Sequence, residues 1–265
     1  MPGVTPLAER LHRAGLDAIV PDWPVSPRVS ALVTTRHGGV SAGRYASLNL
    51  GAASVGRPGG DTPDAVRENR RRLRAVLPAD PVWLAQVHGS VVHRADGADA
   101  QACAAPPVAD AAVTRTPGVV LAVLTADCLP VLLADRDGSA IAVAHAGWRG
   151  LAAGVVENAL RALDVPPSRV AAWLGPAIGP GAFEVGADVR DAFVGACADD
   201  AGAFAAKGNG KWLADLYALA RARLARAGVP AVSGGGACTY RDAARFFSYR
   251  RDGDTGRMAA LAWLR

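Results

Sequence analysis

Three side chains able to hold a borderline metal stand where apolar runs end. They are His88 in QVHG (residues 86–89), Cys128 in TADCLP (125–130) and His145 in AHAGWR (144–149). Two imidazoles and a thiolate suit zinc, and three protein ligands rather than four leave a position for water or substrate. A metal held in that way polarises a substrate atom or lowers the pKa of bound water to about 7. The same residues allow chemistry without a metal, with Cys128 as nucleophile and His145 or His88 as its base in an amidase or other hydrolase. The spacings are too long for a local motif, so the fold must bring the three together.

The elements that would do so are legible in outline. Residues 29–35 read as a strand ending in the loop RHGG, and Gly38, Gly39, Gly43 and Gly51 make residues 36–60 mostly irregular. Asp61 or Thr62 caps a helix that begins at Pro63 and runs to about Val76. Residues 81–87 form a strand that delivers His88. Residues 96–108 are alanine-rich and broken by proline, a surface excursion holding Cys103. Runs 118–125 and 130–134 are buried strands, and the turn DRDG (135–138) leads into strand 139–145. Cys128 and His145 therefore flank a hairpin and can meet at one sheet end. Gly147 and Gly150 open a helix over 151–163. Strand 169–174, helices 187–196 and 212–227 and a last strand 257–264 complete the chain, and residues 1–28 are a lead-in with a short helix. Alternating helices and strands with a hairpin between them predict an α/β fold with a mixed, helix-covered sheet. No repeat and no linker divides it, so residues 1–265 are expected to form one domain.

Composition narrows the class. The chain has 265 residues, 51% hydrophobic and 20% charged, which are ordinary globular values. No apolar run approaches the roughly 20 residues that span a bilayer, and charged residues interrupt the first twenty positions, unlike a secretion signal. Four cysteines without a C-x-x-C pair are read as reduced thiols in a cytoplasmic protein. The net charge of +5 is modest and comes almost wholly from arginine. The basic cluster Arg67, Arg70, Arg71, Arg72 and Arg74 is read as a solvated helix face rather than a nucleic-acid site.

Eight ordered stretches, covering the chain from about Leu32 to Leu264, carry a resemblance: TTRHGGVS (34–41), SLNLG (47–51), QVHG (86–89), ADA (109–111), TADC (125–128), HAGWRG (145–150), GPAI (175–178) and FSYRRDG (247–253). Together they are similar to the laccase-domain family, once named polyphenol or multicopper oxidases and later associated with purine nucleoside phosphorylase activity. The resemblance implies an α/β/α sandwich and zinc on His88, Cys128 and His145. It implies phosphorolysis of adenosine, inosine and methylthioadenosine with adenosine deamination beside it, so that the partners are a purine nucleoside and phosphate, with no nucleic acid and no membrane. The older name would imply copper. Five histidines without a His-x-His pair are too few for a four-copper oxidase, and a blue-copper site on the three residues would lack a second centre to reduce oxygen. The zinc pattern of cytidine deaminases is absent.

Phosphorolysis requires phosphate held below the anomeric carbon while the purine leaves. Arg36 and Arg149, in glycine-flanked loops, are the candidates for that fork. Asp127, Asp110 and His37 are candidates for the acid and base, and Asp127 is equally a hydrogen-bond partner behind the metal. Catalysis is assigned to Cys128, His145, Asp127 and Arg149. Asn49 binds substrate or satisfies buried backbone. Gln86 lies on the strand face of His88 and is either a substrate contact or, the better reading, a structural hydrogen bond. Trp148 stacks on a purine or packs on the core. Cys103, Cys197 and Cys238 are plain thiols, and His12 and His93 surface histidines.

Overall fold

The computed structural model of the protein describes residues 6–52, 55, 59–99 and 105–265; Cys103 and part of the alanine-rich excursion lie outside them. In chain order the first elements are α1 (Leu7–Arg13), β1 (Ala18–Ile19), β2 (Val29–Thr34), α2 (Pro63–Arg74), β3 (Pro81–Val82), β4 (Val92–Arg94), β5 (Ala111–Thr114), β6 (Val120–Thr125), β7 (Leu129–Asp135) and β8 (Ile141–Ala146). The remainder are α3 (Trp148–Ala152), α4 (Val155–Leu163), β9 (Val170–Leu174), β10 (Glu184–Val185), α5 (Ala187–Val194), β11 (Phe204–Gly208), β12 (Lys211–Ala214), α6 (Leu216–Arg226), β13 (Ala231–Gly234), α7 (Tyr249–Asp252) and β14 (Met258–Leu264).

Strands β2, β7, β8 and β14 are buried at every residue. Both of their faces are covered, which is why their sequences run apolar without alternation. The fold is mixed α/β as expected, but the strands divide among three sheets. One has the order β1-β2-β14-β6-β3, a second β13-β9-β7-β8-β5-β4, and a small third β10-β12-β11. The first two each combine antiparallel and parallel pairs. They pack face to face: Ala31, Val33, Leu121, Val123, Ala260 and Ala262 of one sheet meet Leu132, Ala134, Ile141 and Val143 of the other. Helices α1 and α2 cover the outer face of the first sheet, and α4, α5 and α6 cover that of the second. The sandwich thus has a double-sheet centre, because alternate residues of each strand have an apolar partner layer of their own.

Three expected elements differ. Strand 81–87 stops at Val82, and beyond it one bridge remains, Ala85 to Val108; the side chains of Gln86 and Asp110 supply hydrogen bonds there in place of a ladder. Helix 151–163 is two helices, parted at Gly154, whose φ of 87° breaks the helical path. Helix 212–227 begins at Leu216, where the Asp215 carboxylate accepts from the amides of Tyr217 and Ala218. Residues 211–214 are instead β12, joined to β11 through Asn209 and Gly210, both at positive φ. That Asn-Gly pair is a hairpin signal readable in the sequence. Helix α2 starts as expected, with the Thr62 hydroxyl accepting from Ala65 N.

The β7–β8 hairpin sets the site, and Asp135 pins it. Its fully buried carboxylate accepts from Ser139 Oγ and from the Arg169 guanidinium at 2.9–3.2 Å, so hairpin and β9 are tied together. Burial alone would raise the Asp135 carboxyl; Ser139 and Arg169 outweigh burial and hold it below the ordinary value of 3.8. Asp135→Asn is therefore expected to cost about 2–3 kcal/mol at pH 7. The stabilisation belongs to the carboxylate, so it is full above the unfolded value and lost as pH falls through the lowered one. Urea titrations should show the gap between wild type and variant closing below about pH 4. A gap unchanged from pH 7 to pH 3 would rule out the carboxylate as the source of the stabilisation.

Candidate metal centre

Antiparallel register places Leu129 opposite Ala146 and Pro130 opposite His145. Cys128, one residue before β7, then faces Gly147, one residue after β8. His88 comes from the loop beyond β3. Ligand atoms of His88, Cys128 and His145 all lie within 4.8 Å of one another, with His88 Nε2 3.8 Å from Cys128 Sγ. The two imidazole rings meet edge to face with centroids 4.8 Å apart. The expectation that three sequence-distant donors converge is met, and this is the one such group of three or more potential ligands among the described residues.

Buried groups behind the cluster orient it. His145 Nδ1 lies 2.8 Å from Asp110 Oδ1, which leaves Nε2 to face the cluster. Asp110 also accepts from the amides of Val87, His88 and Gly89 at 3.1, 2.9 and 2.7 Å. Asp127 has a φ of 91°. Its Oδ1 accepts from the Thr239 hydroxyl and its Oδ2 from the Arg250 amide, both at 2.6 Å. Burial alone would raise the Cys128 thiol, but His145 and His88 outweigh it and pull the thiol below its ordinary value. Burial would lower His145, and the Cys128 sulfur with Asp110 raises it instead. The lowered thiol and raised imidazole describe a Cys128 thiolate paired with a His145 imidazolium, whose proton a divalent metal would displace on taking up this nitrogen and sulfur donor set.

The cluster forms one wall of a cavity of about 690 Å³. Trp83, Trp148, Ile178, Phe183, Leu216 and Tyr249 add apolar and aromatic surface, and Arg70, Arg250 and Arg257 add positive charge. Each guanidinium is anchored by backbone carbonyls. Arg70 donates to Leu50 O at 3.0 and 2.9 Å and lies over the Trp83 ring, Arg250 donates to Glu184 O at 2.7 Å, and Arg257 donates to Thr255 O at 2.6 Å. Among the described residues none of the three pairs with a carboxylate. Anchored guanidiniums with no carboxylate in ion-pair contact give the cavity a positive wall suited to an anion.

The other expected site residues divide. Gln86 and Trp148 line the cavity, and the Gln86 amide also clamps Leu124 through both its N and O at 2.7–2.9 Å. Asn49, Arg36 and Arg149 are not among the residues lining it. Asn49 is fully buried and holds Asp61 and the amides of Gly51 and Arg257. Arg36 donates to the carbonyls of Ala46 and Ala243, and Arg149 lies over Trp148 on the exposed side. The guanidiniums on the cavity wall are those of Arg70, Arg250 and Arg257 rather than those of Arg36 and Arg149. Asp110, expected as an acid or base, is likewise absent from the cavity wall. His37 and His93 are engaged elsewhere, with Ala244 O and Asp99. The sequence did contain a signal for Arg70. Val66, Asn69, Arg70 and Leu73 follow the i, i+3, i+4, i+7 stripe, so Arg70 shares the buried face of α2 while Arg67 and Arg71 point to solvent.

Helix-covered mixed sheets with a Cys-His-His cluster opening into a cationic, aromatic cavity define an α/β protein whose donor cluster fits a metal ion. Residues 30–265 match the family described as multi-copper polyphenol oxidoreductase laccase, and the chain belongs to that family. A protein of Pseudomonas aeruginosa named purine nucleoside phosphorylase is 53% identical over 247 residues, covering 93% of this chain and 98% of its own. Purine nucleoside phosphorylase YfiH of Escherichia coli is 53% identical over 248 residues with the same coverage. Among solved structures, a Neisseria meningitidis protein superposes with a TM-score of 0.88 at 52% identity, covering 93% of this chain and 98% of that one. YlmD of Geobacillus stearothermophilus superposes with a TM-score of 0.84 at 32% identity, covering 94% and 100%. No helix among the described residues is long and apolar enough to cross a membrane.

Proposed function

We propose that the chain is a zinc-dependent purine nucleoside phosphorylase, working as one domain in the cytoplasm on adenosine, inosine and methylthioadenosine, with adenosine deamination beside it. The observation that carries the reading is one cavity with the donor cluster on one wall and uncompensated arginines on others. The names of relatives 53% identical over nearly the whole chain support it. His88, Cys128 and His145 would hold the zinc, which when bound supplies Lewis-acid polarisation and acidified water. Arg70 and Arg257 hold phosphate by charge-assisted hydrogen bonds, and Trp83, Trp148 and Tyr249 offer faces for a purine. An oxygen of hydrogen phosphate bonds to C1′ as the bond from C1′ to the purine nitrogen breaks, and the released base takes up the proton that the phosphate gives up. Phosphate negative charge steadies the oxocarbenium-like state in between.

Given inosine, the protein is expected to release hypoxanthine and ribose 1-phosphate only when phosphate is present. Elemental analysis should give about one zinc per chain, lost in Cys128→Ala. Free ribose appearing at the same rate without phosphate would indicate a hydrolase. Adenosine turned to inosine without phosphate would report deamination at C6.

A second reading has its own observation. Cys128, His145 and Asp110 are linked as a nucleophile, a base and an orienting carboxylate. Metal-stripped protein that cleaves an amide substrate and ignores nucleosides would select it. Copper has the least support, since three of the five histidines lie outside the cluster.

A further inference from the structure

We infer that Asp110 is the positioning residue of the metal centre, one carboxylate that fixes two of the three ligands at once. The inference rests on the proposed zinc site and adds to it the group on which its assembly depends. Asp110 is fully buried immediately before β5 and outside the cavity lining. Its oxygens divide the labour: Oδ1 serves the His88 amide and His145 Nδ1, while Oδ2 serves the amides of Val87 and Gly89. Four donors on two oxygens occupy the carboxylate, so it orients rather than exchanges protons with substrate.

The His88 side needs such an anchor. His88 has a φ of 61°, in the left-handed region that an L residue with a side chain avoids. No strand holds this segment, since β3 ends at Val82. Three consecutive amides turned onto one carboxylate replace the missing ladder, the arrangement by which backbone nests hold anions. On the other side, the Nδ1 contact leaves Nε2 of His145 as the free ligand nitrogen. Backbone reinforces it, because His145 N donates to Asp110 O at 2.7 Å.

Asp110→Asn tests this with little change of shape. Whichever way the amide turns, its NH2 faces either the His88 and His145 donors or the Val87 and Gly89 donors. Zinc affinity, measured by chelator competition, should fall about 10- to 100-fold, and the spectrum of cobalt-substituted protein should change. In metal-free wild type, hydrogen exchange at the amides of 87–89 should be slow for an exposed loop, and in Asp110→Asn it should be fast. The wild-type measurement stands even if the variant does not fold. Wild-type zinc affinity in a folded Asp110→Asn protein, or fast exchange at 87–89 in the wild type, overturns the inference. Slow exchange in a wild type that binds no zinc would sink the metal reading and leave the anchor standing.

Discussion

Gly147→Ala is expected to fold normally and to lose the metal. Gly147 has φ −60° and ψ 160°, a conformation open to any residue, so the backbone carries no strain on substitution. The cost is steric and local. A Cβ there would stand 2.8 Å from Cys128 Sγ and 3.1 Å from His88 Cδ2, in the middle of the donor cluster. Two of the three ligands must move by several tenths of an ångström, whereas zinc distances tolerate only about 0.2 Å. Zinc affinity is expected to fall by at least about 100-fold, comparable to the loss of a group that orients a ligand. Far-UV circular dichroism should match the wild type. A folded Gly147→Ala protein with full zinc and ordinary turnover would mean that these three side chains are not the metal ligands.

The second large effect is expected at the arginines. Arg257→Ala and Arg70→Ala should each raise the phosphate KM about 10- to 100-fold, equivalent to one charge-assisted hydrogen bond, while the inosine KM changes much less. Lysine at either position should restore little, since an ammonium keeps the charge without the planar fork or its hold on a carbonyl. Arg70 gives the sharper version, because two of its donors already bond Leu50 O and its Cζ lies 4.2 Å from the Trp83 centroid. Burial lowers its pKa, with no carboxylate to offset it, so bound phosphate would supply the missing counter-charge. Arg149→Ala removes a guanidinium that does not line the cavity and should leave the phosphate KM nearly unchanged. A large phosphate effect at Arg149 and none at Arg70 or Arg257 would return the fork to the loop after β8.

The set of donors, and the local means of bringing two of them together, are written in the amino-acid sequence alone. His88, Cys128 and His145 differ in type from the apolar runs beside them, and the turn after Asp135 reads as a hairpin, so chain order already pairs Cys128 with His145. The start of α2 is legible for the same reason, since a capping Thr62 and Pro63 act within one helical turn. Buried strands betray themselves by unbroken hydrophobicity, but not that they form two sheets. A strand covered on both faces reads the same whether a helix or another sheet covers it. Which arginines line the cavity is settled by packing. Arg70 comes from α2, Arg250 from α7 and Arg257 from the approach to β14, and they share one cavity only after helices and sheets are packed. Packing also brings Asp110 beneath two segments of the donor cluster, where its four donors come from residues 87, 88, 89 and 145. Side-chain type and turn chemistry act within a few residues and are written locally. The direction in which a guanidinium or a carboxylate points depends on contacts between segments far apart in the chain.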